Sequence, residues 1–316
     1  MYMILLESLL FLSVGWPLLI LYMLIVKKMH STALYLAPWA AIPALMAAVF
    51  ITPDTIEWNL PWLLLGSKVG LDQTGKVFLL LAGLLWTVAG IYAKTYFPDI
   101  GKQVRFYRFF LLAMVGNFSL ILAQDLISFY LGFTLMSFAS YVLVVFKGDK
   151  VAFKAGTVYI ALVVVGEVIL FAALLMATKV ADATTFEAVR QSLINAQDKD
   201  MIILLVLAGF GVKAGVIGFH VWLPLAHPVA PTPASAVLSG TMIKAGLLGW
   251  LRMLPLGEIA LPDWGVVVVI LGLATAFYGV AIGLTQRNPK TLLAYSSISQ
   301  MGIITISIGL GMFAPQ

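Results

Sequence analysis

Ten apolar stretches, most of them near the roughly 20 residues that span a hydrocarbon core, follow one another along the chain with short polar connections. They fall near residues 4–26, 33–52, 77–97, 107–124, 126–146, 153–178, 201–221, 233–254, 264–285 and 292–313. This pattern predicts an all-α polytopic membrane protein with about ten transmembrane helices. Composition leaves room for little else, since 62% of the 316 residues are hydrophobic and 10% are charged, against about 25% charged in soluble domains. The longest interval that is not apolar, from Ala181 to Asp200, is too short to hold a core of its own. The fourth stretch closes at Gln124-Asp125 and the fifth opens at once, which predicts a tight helical hairpin.

The chain has no cysteine, so thiolate-held iron–sulfur clusters, disulfides and the usual structural zinc site are excluded within it. Three histidines do not rebuild such sites, and neither a cofactor nor a metal is expected in this chain. The net charge of +5 reads as topology and not as nucleic-acid binding, because the bases cluster in alternate connections. Lys27-Lys28, then Lys94, Lys102, Arg105 and Arg108, then Lys147, Lys150 and Lys154, then Arg287 and Lys290 occupy every second one. The intervening connections carry Asp54, Glu57 and Asp72, then Asp182, Glu187, Asp198 and Asp200, then Glu258 and Asp263. The positive-inside rule makes the basic connections cytoplasmic and puts both termini outside; a cell inner (plasma) membrane is the expected location. The connection from His220 to Pro233 lacks Lys and Arg, and its side is set by the alternation around it. The first stretch has its charges after the apolar run, opposite to a secretory signal peptide, and is expected to be a retained helix. Residues 186–195 have the mixed polarity of either a short surface helix or an ordinary loop.

Three charged residues sit deep within apolar stretches: Glu167, Lys213 and Lys244. An ionised side chain at the bilayer centre costs at least about 2.5–3.5 kcal/mol, so each asks for a reason. At 1.5 Å rise per residue, Glu167 lies roughly 20 Å from the inner end of the sixth helix and Lys213 roughly 18 Å from the outer end of the seventh. Lys244 falls at a similar depth, too far from either interface to snorkel. Three ionisable groups at one depth suggest a line in the membrane plane. An interhelical ion pair with no transport role is the plain alternative. Lysine suits proton handling because burial favours the neutral amine and a nearby carboxylate favours the ammonium.

Between the lysines runs His220-Val-Trp-Leu-Pro-Leu-Ala-His227-Pro-Val-Ala-Pro-Thr-Pro-Ala-Ser, with four prolines in ten residues. Such a run cannot continue a regular helix, and broken backbone in a membrane must be buried in protein or line a wet cavity. His220 and His227 can relay protons there. Their spacing of seven shares a helix face only if the helix survives Pro224. As a metal site the pair lacks a third ligand. The glycines of the seventh and eighth stretches read as close helix packing.

The run from Val212-Lys213 through Phe219-His220-Val-Trp-Leu-Pro-Leu-Ala-His227, with Ala230-Pro-Thr-Pro-Ala-Ser-Ala and Met242-Ile-Lys244, resembles the proton-conducting, antiporter-like membrane subunits. These occur in respiratory complex I, in the hydrogenase-4 and formate hydrogenlyase group, and in multisubunit Na⁺/H⁺ antiporters. Gln286-Arg-Asn-Pro-Lys-Thr-Leu-Leu-Ala-Tyr-Ser-Ser-Ile-Ser-Gln-Met-Gly302 is similar to a second signature of that family. The resemblance covers nearly the whole chain. It implies inverted repeats, a broken seventh helix and a proton half-channel, with Lys213 and Lys244 on the lysine positions of the seventh and eighth helices and His220 and His227 between them. It further implies related membrane subunits as partners and a peripheral redox arm that holds any flavin or metal centres.

Two departures from the family pattern matter. Thr134 stands at the position of the fifth-helix glutamate, and threonine cannot titrate, so Glu167 is expected to take its place. Family members commonly have about fourteen spans, so the chain reads as one complete antiporter-type repeat with a partial second one. On this reading residues 1–100 are N-terminal helices, 105–254 the first repeat and 264–316 the start of the second, and another subunit completes the second half-channel. Three functions stay open: a proton-translocating subunit coupled to a redox arm, a subunit of ion-coupled inorganic-carbon uptake or of a Na⁺/H⁺ antiporter, and a truncated non-conducting scaffold.

Overall fold

The computed structural model describes residues 2–61 and 66–313. Among the described residues, nine helical segments are long and apolar enough to cross a membrane, and the chain is a multi-pass membrane protein. It divides into two compact units, Met1–Gly148 with Ala230–Met242, and Asp149–Val229 with Ile243–Gln316.

In the first unit, α1 spans Tyr2–Ile25. The second apolar stretch, expected as one helix over 33–52, is instead built of pieces. A 3₁₀ turn leads into α2 (His30–Leu36), a second 3₁₀ turn covers Ala37–Trp39, and α3 follows at Ile42–Phe50. Proline has no N–H and its ring clashes with the carbonyl four residues back, so it fits best where a helical turn begins. Pro38 and Pro43 each stand in the first positions of such a turn. Then come α4 (Gln73–Tyr96), α5 (Ile100–Leu122) and α6 (Leu126–Val144), with α11 at Thr232–Val237 packed on α4. Aspartate side chains cap the starts of these long helices, Asp72 on Gly75 N, Asp99 on Lys102 N and Asp125 on Ser128 N. Each supplies an acceptor to an N–H that has no partner within the helix.

The expected hairpin of the fourth and fifth stretches is present as α5 and α6, joined through Ala123–Asp125. It is braced by a small sheet that hydropathy does not announce. Strands β1 (Glu57–Leu60) and β2 (Ser67–Gly70) pair antiparallel, Glu57 opposite Gly70 and Leu60 opposite Ser67. Gln124 N donates to Lys68 O at 2.9 Å, and the fully buried Asp125 accepts from Lys68 N and Ser128 N, both at 2.8 Å. Asp125→Ala removes a helix cap and orphans the Lys68 amide. The expected cost is about 2–4 kcal/mol, the cap and the unsatisfied donor together. Thermal unfolding of the purified protein should show the loss, with Asp125→Asn recovering part of it.

In the second unit, α7 (Lys150–Ala181) is longer at both ends than the predicted 153–178. The predicted surface segment is helical as α8 (Phe186–Leu193), with Phe186, Val189 and Leu193 buried. Arg190 on α8 pairs with Glu258 at 2.8 Å and donates to Arg252 O at 2.9 Å. The remaining helices are α9 (Lys199–Ala214), α10 (Trp222–Val229), α12 (Lys244–Met253), α13 (Pro262–Gly283) and α14 (Pro289–Gly311). α7 packs on α8, α9 and α10, α9 on α12, α10 on α14, and α13 and α14 form a second hairpin. That hairpin is close: a Cβ at Gly272 would lie 2.7 Å from Ile306 N, which only a residue without a side chain permits.

Candidate functional site

The seventh apolar stretch, predicted as a helix over 201–221 and broken among the prolines beyond it, breaks earlier. α9 stops at Ala214, one residue past Lys213, because Gly215 adopts a left-handed conformation with φ 71° and caps the helix through its N–H to Gly211 O. Glycine is the residue that takes this conformation without strain. The prolines start helices instead of breaking one. Pro224 lies in the first turn of α10, Pro231 is the N-cap of α11 and Pro233 lies in its first turn, while Pro228 alone of the four falls within a helix.

Breaking a helix in a membrane strands backbone groups, and each must find a partner. The Val212 carbonyl accepts from Trp222 Nε1 at 2.9 Å. Ile217 N donates to Thr275 Oγ1 on α13 at 3.1 Å, and that hydroxyl donates on to Leu271 O at 2.6 Å. The opening after Lys213 is therefore tied down on one side by an indole and on the other by a threonine.

Lys213 is 3% exposed. Its Nζ donates to Tyr159 Oη on α7 at 3.3 Å and lies 5.6 Å from that ring's centroid. Glu167, on the same helix as Tyr159 and 5% exposed, acts electrostatically on Lys213. Two glycines make this closeness possible. A Cβ at Gly166 would meet Val212 Cβ at 3.0 Å, and one at Gly209 would meet the Leu170 backbone at 3.1 Å. α7 and α9 thus pack with small residues at their crossing, and Glu167 and Lys213 are carried in with them.

The predicted eighth helix over 233–254 is also interrupted. α11 passes into a five-residue π turn at Leu238–Met242, and Lys244 opens α12 just beyond it. Ser239 Oγ donates to Ser235 O at 3.2 Å and Thr241 Oγ1 to Val237 O at 3.0 Å. Such hydroxyls compete with the backbone for the carbonyls four residues back and loosen the turn, and π turns recur where side chains must be re-aimed for function.

His227, 2% exposed in the last turn of α10, feels the charges of both Lys290 and Lys244. His220 precedes α10, so the two histidines do not share a helix face. The His220 ring stands edge-on to Tyr278 of α13 at 4.8 Å, and the Tyr278 ring lies 6.2 Å from that of Tyr295 on α14. Thr134 is half-buried in the middle of α6, in the other unit. The second unit thus associates Lys213 with Glu167 and His227 with Lys244. Tyr159, Trp222, Tyr278, Tyr295 and Thr275 join the site without a charge to mark them in the sequence. A tyrosine well inside an apolar stretch is nevertheless a signal, since its hydroxyl needs a partner there.

Residues 123–314, more than half of the chain, match the family described as NADH:quinone oxidoreductase/Mrp antiporter, TM. The chain is 32% identical over 247 residues to hydrogenase-4 component B of Escherichia coli, a match covering 77% of this chain and 37% of that protein. It is 28% identical over 250 residues to NADH-quinone oxidoreductase subunit N of Chlorobium chlorochromatii, covering 74% of this chain and 48% of the relative. The match to each of these curated relatives covers less than half of the relative's length. In fold it is similar to a chain of the membrane-bound sulfane sulfur reductase, an archaeal respiratory membrane complex, with TM-score 0.78 and 23% identity over 96% of this chain and 52% of that one.

Proposed function

The chain belongs to the NADH:quinone oxidoreductase/Mrp antiporter transmembrane family, and we propose that it acts as a proton-translocating subunit of a larger membrane complex. The observation that carries this reading is the buried Lys213 at a helix break, beside Glu167. When Glu167 is ionised it holds the ammonium; when it is protonated or turned away, the buried amine favours its neutral form and gives up a proton. His227, within the fields of Lys244 and Lys290, provides the next exchangeable group, and His220 with Tyr278 and Tyr295 a polar branch.

On this reading residues 105–254 form one antiporter-type repeat, 264–316 open a second, and other membrane subunits are the partners. The complex sits in an inner membrane with the basic connections on the cytoplasmic side. A redox arm of the NADH-quinone or hydrogenase kind supplies the driving reaction. The non-conducting scaffold draws its support from Thr134, which cannot titrate, and flux measurements separate the two.

Glu167→Gln keeps the shape and removes the charge. In vesicles carrying the assembled complex, proton flux driven by a potassium diffusion potential and followed with a pH-sensitive dye should fall at least about a hundredfold, the lower end for a lost proton-transfer partner. Assembly should be unchanged. Wild-type flux would remove Glu167 from the path.

A further inference from the structure

We propose that Tyr159 is a positioning residue that keeps Lys213 hydrogen-bonded in both of its protonation states. This rests on Lys213 carrying a proton. A buried nitrogen left without partners in either state would cost free energy and trap the lysine in the other. The two states ask for different partners: an ammonium offers three donors and no acceptor, while the neutral amine also presents a lone pair. An ionised carboxylate only accepts, so Glu167 serves the ammonium; it can donate to the lone pair when it is itself protonated, but not when it has turned away. A phenol hydroxyl both accepts and donates. The Tyr159 hydroxyl, 3.3 Å from Nζ, can accept from the ammonium and rotate to donate to the amine. Its ring, 5.6 Å from Nζ, adds a cation–π attraction in the charged state.

The frame around Tyr159 fits a fixed pivot. The side chain is fully buried. Its ring stands edge-on to Trp222 at 5.2 Å and 70°, and Trp222 is pinned to the carbonyl of Val212, the residue before Lys213. The same indole that satisfies the broken helix therefore sets the tyrosine against the lysine. The titratable and charged groups on the apolar parts of the helices packed against α9 are Tyr159 and Glu167 on α7 and Lys244 and Arg252 on α12. Of these, Tyr159 is the neutral one with both donor and acceptor capacity.

The test uses the assembled complex in vesicles, with flux under an imposed potential as readout. Tyr159→Phe keeps the ring, its edge contact and the cation–π attraction, so a purely structural role would leave flux unaltered. Flux is expected to fall about tenfold, less than for loss of the proton carrier itself and equivalent to about 1.4 kcal/mol on the barrier. A genetically encoded fluorotyrosine at 159 keeps shape and hydroxyl and changes donor strength; flux is expected to change by about twofold or more, an effect of a few tenths of a kcal/mol on the barrier. If Tyr159→Phe does not assemble, the fluorotyrosine variant decides alone. Wild-type flux in either variant overturns the role of Tyr159. Lys213→Ala serves as the reference: if it also conducts at the wild-type rate, the transport reading fails, and if it is silent, only the inference about Tyr159 fails.

Discussion

Lys213→Ala is expected to bring proton flux through the complex down to the leak of the vesicles. The side chain is 3% exposed in the last turn of α9, so no bulk water stands ready to replace its ammonium as a proton carrier. Loss of a positioned acid or base lowers rates about 10²–10⁴-fold, enough to sink the signal into background. The structural consequence is separable. Removing a buried cation leaves the buried Glu167 without its electrostatic counterweight, which costs up to about 3–5 kcal/mol while the carboxylate stays charged, and Glu167 can reduce that cost by taking up a proton. Lys213→Ala combined with Glu167→Gln leaves neither charge buried. The double variant should be more stable than Lys213→Ala, short of wild type by the void that the lysine stem leaves, and match Lys213→Ala in flux. Were the pair only structural, the double variant would recover flux together with stability.

Gly246→Val should have the largest structural effect. Gly246 lies on α12 two residues beyond Lys244, and a Cβ there would sit 2.7 Å from Phe210 O and 2.9 Å from Ala214 N. Both obstacles are α9 backbone, in the turns that carry Lys213, and backbone cannot swing aside as the end of a flexible side chain can. Overpacking costs about 1–3 kcal/mol even where side chains adjust, and here α9 and α12 must separate. Tm in detergent is expected to fall by about 5 °C or more, on the usual scale of a few degrees per kcal/mol, and the amount of assembled complex to fall with it. Gly246→Ala should show a smaller loss of the same kind.

Much of this arrangement is legible in the sequence, for a definite reason. A membrane allows few polar groups, so Glu167, Lys213 and Lys244 stand out of their surroundings, and the Gln124-Asp125 boundary admits only a tight hairpin. The break in the seventh helix is legible as to its existence and not its place. Four prolines point to His220–Ser235, yet proline suits a helix start, and the chain turns at Gly215 instead. Glycine gives no directional signal where Gly209, Gly211, Gly215 and Gly218 all occur within ten residues. The pieces of the second stretch and the π turn before Lys244 are hidden for a related reason: hydropathy averages over a window and does not register a change in backbone hydrogen bonding. The strands β1 and β2, four residues each, are too short to show an alternating pattern. Tyr159 is inconspicuous because its importance lies in a contact between α7 and α9 far apart in sequence.

The most direct test of Lys213 as the proton carrier is Lys213→Arg. Arginine keeps the positive charge, the partnership with Glu167 and the contact with an aromatic ring, but it does not release its proton at physiological pH. Proton flux under an imposed potential in vesicles holding the Lys213→Arg complex should be no greater than in Lys213→Ala vesicles, with assembly intact. Flux at the wild-type rate would show that a fixed positive charge is sufficient at this position and would contradict the account.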